Sequence, residues 1–118
     1  MKNDTLFSSA TVTSGSGVTS STKDVSGYEN LIIWLLVSAA SGTLPTLDIT
    51  IEHSPDGTNW YPLFTIPQIT AALTQAYHVL GSADPFGQYL RGKYTVGGSG
   101  PSFTFSLATT AKTREAFA

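Results

Sequence analysis

Glycine and proline interrupt this chain about every ten residues, and the segments between them are rich in Thr, Val, Ile, Tyr and Phe, the pattern of an all-β sandwich or barrel. Helical periodicity is almost absent. Eight strands are predicted: 6–13, 18–22, 28–38, 46–53, 60–65, 73–80, 88–96 and 102–109. That number suits an antiparallel sandwich of jelly-roll or Greek-key type, in one domain spanning residues 1–118. Gly97-Gly98-Ser99-Gly100-Pro101 reads as the turn between the last two strands. The sequence shows no internal repeat.

Leu31-Ile32-Ile33-Trp34-Leu35-Leu36-Val37 is apolar on both alternating faces. Such a strand is expected to be central and covered on each side, by a second layer or a neighbouring subunit; a short buried helix is the alternative. Thr46 to His53 alternates cleanly, with Leu47, Ile49, Ile51 and His53 on one face and Thr46, Asp48, Thr50 and Glu52 on a wet one. Phe103, Phe105 and Leu107 share a face as well. The expected core is therefore Leu31, Ile33, Leu35, Leu47, Ile49, Ile51, Phe103, Phe105 and Leu107.

Charge bounds the function. Six basic and eight acidic side chains give a net charge of -2. That balance argues against nucleic acid as the main partner, because duplex binding draws on neutralised phosphates. Only 12% of residues are charged, against about 25% in an ordinary soluble domain. The 14 serines and 17 threonines that supply polarity instead suit packed interfaces. The polar start Met1-Lys2-Asn3-Asp4 and a longest apolar run of seven residues predict neither a signal peptide nor a membrane helix.

Catalytic groups are sparse. There is no cysteine. The G-x-S-x-G elbow fails because Pro101 follows Gly97-Gly98-Ser99-Gly100, and G-x-G-x-x-G fails because Ser20 stands at its last position. His53 and His78 read as strand residues, so no catalytic residue, cofactor or metal is expected. Asp48, Glu52 and Asp56 are a conceivable metal set, with a solvated acidic face as the plainer reading. Ser54-Pro55-Asp56-Gly57-Thr58-Asn59-Trp60 resembles the turns of Asp-box repeats and of discoidin-like carbohydrate- or lipid-binding domains. Its structural reading has Asp56 accepting backbone N–H bonds, Gly57 left-handed and Trp60 plugging the sandwich. Its functional reading has Trp60 and Tyr61 exposed as a glycan platform.

Between Asp24 and Leu90 there is no Lys or Arg, while Asp24, Glu29, Asp48, Glu52, Asp56 and Asp84 are acidic. The bases lie at Lys2, Lys23, Arg91, Lys93, Lys112 and Arg114. Such separation suits like subunits meeting head to tail, or docking on an oppositely charged shell. Arg91 is expected to form a two-pronged pair with a carboxylate of the acidic middle. Phe7, Trp34, Arg91, Lys93, Lys112, Arg114 and Phe117 are the interface candidates, and residues 1–13 and 110–118 are candidate interaction arms. The polar ends, the low charge and the doubly apolar strand together favour a homo-oligomer, with a trimer preferred.

From Tyr28 to Leu107 the order of features resembles small structural proteins encoded among tailed-bacteriophage virion genes. The residues carrying this are Gly27-Tyr28 before an apolar strand, Ser41 to Ile51, Asp56-Gly57-Thr58-Asn59-Trp60, Tyr89-Leu90-Arg91 with Lys93-Tyr94, and Gly97 to Phe105. The resemblance implies a β-sandwich in a virion assembled in the host cytoplasm. It further implies a decoration or head-stabilising protein whose partners are itself and the major capsid protein. A tail or head-to-tail component and a carbohydrate-binding module are the alternatives.

Overall fold

The computed structural model describes residues 2–80 and 87–112. Among them every regular element is a strand: β1 (Lys2–Val12), β2 (Val18–Thr19), β3 (Lys23–Asp24), β4 (Asn30–Ser54), β5 (Tyr61–Thr65), β6 (Leu73–Leu80) and β7 (Tyr89–Lys112). They form one antiparallel sheet of seven strands in the order β1-β7-β4-β5, with β2 and β3 on β7 and β6 on β4. The all-β, antiparallel expectation holds.

The strand count is seven rather than eight because four predicted strands fuse into two and the short β3 is added. β4 joins the segments expected at 28–38 and 46–53, and β7 joins those at 88–96 and 102–109. The two pair with each other from Asn30↔Lys112 to Ser54↔Tyr89. Gly97 to Pro101 is therefore no hairpin turn. It is a bend inside β7, paired across Thr43↔Ser99 and Thr46↔Gly97 with a matching bend inside β4. The β4–β7 ladder thus continues across the bend, with register shifts between Ser41 and Thr43 and between Thr43 and Thr46.

At this bend the sheet doubles over into two layers. Layer one is β6, β4 up to Ser41, β7 from Ser102, and β1. Layer two is β5, β4 from Thr46, β7 up to Gly97, and the short β2 and β3. The layers touch through Gly92, where an added Cβ would lie 3.0 Å from the Phe7 ring and 3.2 Å from Leu107. Phe7, Tyr94 and Phe105 close one side edge-to-face, with ring centroids 5.1 to 5.8 Å apart.

All nine residues expected in the core are buried in one cluster, joined by Leu6, Val25, Ile66, Ile69 and Leu90. Ile66 and Ile69 belong to no strand. They are held by backbone bonds to Ile49 and Leu47, which extends layer two beyond β5. Of the first candidate interaction arm, residues 2–12 form a strand of layer one; of the second, residues 110–112 end β7 and 113–118 lie outside the described residues.

Candidate functional site: two unlike outer faces

A bent sheet buries one face of each long strand and turns the other outward. In β4 the inward row is Leu31, Ile33, Leu35 and Val37, and the outward row is Ile32, Trp34 and Leu36. Trp34 is 47% and Leu36 45% exposed. Within the chain the second layer covers the inward row of this strand, while on the outward row Ile32 is buried and Trp34 and Leu36 stay open.

Neighbouring strands set small side chains around this row. Trp34 stands between Ala76 of β6 and Ala108 of β7, and Leu36 between Thr74 and Ser106. Ile32 lies between His78 and Thr110, and Ser38 donates to the Thr104 carbonyl. The indole N–H donates to Thr110 Oγ1 at 2.9 Å, and that hydroxyl donates to Asn3 Oδ1 at 2.7 Å. This relay across β4, β7 and β1 fixes the ring on the sheet. A groove of about 260 Å³ runs beside it, lined by Trp34, Leu36, Thr74, Ala76, Ser106 and Ala108. From the Ile32 row to the Leu36 row these strands present no Asp, Glu, Lys or Arg.

The outer face of layer two is charged. Glu52 and Arg91 stand directly opposite on β4 and β7, and Arg91 Nε donates to Glu52 Oε1 at 2.8 Å. The guanidinium lies 4.2 Å from the centre of the Trp60 ring, a cation–π contact. Arg91 thus finds its carboxylate in the acidic middle, through one nitrogen rather than a fork. The reading of Trp60 as a plug of the sandwich is corrected, since it lies outside the core cluster, and Arg91 covers one face of its ring. Tyr61 remains 56% exposed without that partner ring. Lys93 pairs with Thr50 on the same face, and Asp48 accepts from the Gln68 amide at 3.1 Å.

The Asp-Gly turn carries its structural role. Asp56 Oδ1 accepts from the Thr58 and Asn59 amides and the Ser54 hydroxyl, each at 2.9 Å, and Oδ2 accepts from the Asn59 side chain. These donors hold its carboxyl well below the usual carboxylate range, the Asn59 and Thr58 amides contributing most. Asp48, Glu52 and Asp56 thus each serve a different local partner. Among the described residues no three His, Cys, Asp or Glu gather as a metal set. His53 Nδ1 accepts from the Gly87 amide at 2.8 Å, and His78 is exposed on β6.

Of the interface candidates, Phe7 is committed to the aromatic cluster, Trp34 is open to solvent, and Arg91 and Lys93 share the charged face. Lys112 ends β7, its carbonyl accepting from the Glu29 amide. Arg114 and Phe117 lie outside the described residues. Sequence reasoning missed Leu44, 85% exposed at the bend of β4 with a left-handed φ of 48°. A signal was present: Gly42-Thr43-Leu44-Pro45 and Gly98-Ser99-Gly100-Pro101 share a G-[TS]-x-P pattern.

No family model matches the chain, and a search of the curated proteins finds no match. Among solved structures, the fold is similar to that of PBSX exported protein XepA, with a TM-score of 0.66 and 18% identity. The similarity covers 95% of this chain and 37% of XepA, so the chain spans little more than a third of that protein's length. At this identity the likeness is one of fold.

Proposed function

We propose that the chain is a non-enzymatic bacteriophage virion protein that decorates and stabilises the capsid shell as a homo-oligomer, a trimer by preference. The observation that carries this reading is the division of its exterior into an uncharged face around Trp34 and a charged face around Asp48, Arg91 and Lys93. Complementary charge sets register against a shell of another protein, whereas an uncharged apolar face suits a like copy. Two further supports are the fold similar to that of PBSX exported protein XepA and the resemblance of residues 28–107 to virion structural proteins. The assembly would act by binding, with neither cofactor nor metal.

The test is to purify virions from the phage that encodes the chain, count its copies by quantitative mass spectrometry and locate it in a virion map. Copies in step with the major capsid protein and density on the shell are expected, together with greater heat resistance when the chain is added to undecorated capsids. A few copies at the tail would make it a tail or head-to-tail component. Absence from virions, with glycan binding that fails on Tyr61→Ala, would make it a carbohydrate-binding module.

A further inference from the structure

Leu44 carries two costs that the isolated chain does not recover. Its backbone is left-handed, where an L side chain crowds the following carbonyl, and its side chain is almost wholly in water. The local twin of this position shows that neither is needed for the bend. Gly100, third in its own G-[TS]-x-P segment, holds φ at 59° and has open space around it. A glycine at 44 would meet the same backbone requirement without steric crowding, and the bend itself makes no use of the leucine side chain. Around it Pro45, Thr46, Gln68 and Thr70 are uncharged.

The chain also carries a receptor of matching chemistry: the uncharged apolar groove beside Trp34, flanked by Ala76 and Ala108. Within one copy the two lie apart: Leu44 is eight residues further along β4 than Leu36, at the bend, and lines none of the groove. We propose that Leu44 of one copy seats in the Trp34 groove of the next, so that copies associate head to tail. An exposed apolar knob and a separate uncharged hole on one chain make a heterologous contact, which closes into a ring when the rotation permits. A trimer is the smallest such ring in which the knob and the hole of each copy engage two different neighbours. This contact rests on the reading that the protein works as an assembly of like copies, and names the surfaces that make it.

Two single variants and their mixture decide the matter in solution, without any capsid. Leu44→Gly removes the knob while easing the backbone. Ala76→Glu places a charge in the hole from a strand at the sheet edge, where the fold tolerates it. By analytical ultracentrifugation at about 100 µM, well above the micromolar range of modest interfaces, the parent should sediment as an oligomer. Each variant alone should be a monomer, its association weakened at least about tenfold. An equimolar mixture should form a one-to-one heterodimer, because one intact knob and one intact hole remain. Native β-sheet circular dichroism of both variants is the control for folding, with Ala108→Gln as a second hole variant should Ala76→Glu lack it. A monomeric parent, single variants that still assemble, or a mixture that stays monomeric overturns the proposal. If the contact fails while the parent still binds capsids, only the contact is lost; if it holds while capsids are not bound, the decoration reading is lost instead.

Discussion

Gly42 and Gly98 lie against each other's strands at the bend. A Cβ on Gly42 would stand 2.7 Å from the Gly100 carbonyl oxygen, and one on Gly98 would stand 2.6 Å from that of Leu44. Their φ angles, 114° and 106°, match as closely as their surroundings. Two long strands cross from layer to layer together here, and only glycine allows the backbones so near. Gly42→Ala and Gly98→Ala should each cost at least about 1 to 3 kcal/mol, from a forbidden φ together with a clash against main chain. Gly100→Ala, left-handed but in open space, should cost only about 1 kcal/mol. Urea midpoints of the three variants test the order; equal midpoints would mean that the crossing is looser than its geometry.

The core prediction follows from burial. Ile49 is 0% and Phe105 2% exposed, at the junction of the two layers. Ile49→Ala and Phe105→Ala should each lose about 2 to 5 kcal/mol through lost burial and the cavity left behind. An unchanged urea midpoint for either would place that side chain outside the core.

The inward rows were legible because β periodicity does not depend on partners. Alternation at 46–53 and at Phe103, Phe105 and Leu107 names the buried face whichever strand lies alongside. What could not be read was continuity. Glycine and proline at 42–45 and 97–101 are the ordinary marks of a loop, and one segment alone does not reveal that another of like pattern is paired with it. For the same reason the two apolar faces of Leu31 to Val37 are not told apart by sequence, and only the fold decides which one the second layer takes. The contact of Trp60 with Arg91 was not legible because the two lie 31 positions apart, Arg91 being on another strand.

Glu52 is 8% exposed and depends on Arg91 for compensation. Arg91→Ala should therefore cost about 1 to 3 kcal/mol, the penalty of a carboxylate left nearly dry. Arg91→Lys keeps the charge but loses the Nε geometry and the planar stack on Trp60, so its loss should be smaller yet measurable. In a double-mutant cycle, Glu52→Gln with Arg91→Ala should show a coupling that Thr50→Ala with Arg91→Ala lacks. A zero coupling would reduce the pair to an ordinary surface contact.

Asp56 gives the pH dependence. Its carboxyl is held low by the Asn59 and Thr58 amides, so its contribution is fully present above the unfolded value of about 3.9 and is lost as pH falls towards the folded value. Asp56→Asn should accordingly lower the urea midpoint at pH 7, and the gap to the parent should narrow steadily below about pH 4. A gap that stayed constant with pH would tie the loss to turn shape alone.

Leu44 should be a leucine that the isolated fold does not need. Leu35 and Leu47, 2% and 0% exposed, lie in the core, and replacing either by Asn should unfold much of the population by burying an unpaired amide. At Leu44 the same change should hold or raise stability by up to about 1 kcal/mol, since Asn tolerates the left-handed region far better than leucine. Leu44→Gly should lie between, because relief of the backbone is offset by the greater freedom of a glycine in the unfolded chain. The comparison belongs at a concentration low enough for the parent to be monomeric, so that lost association is not counted as lost folding. Thermal melts of the Leu44, Leu35 and Leu47 variants side by side provide the check. A Leu44→Asn protein that melts well below its parent under those conditions would show that the side chain supports its own bend, and the reason for assigning it to a neighbour would be gone.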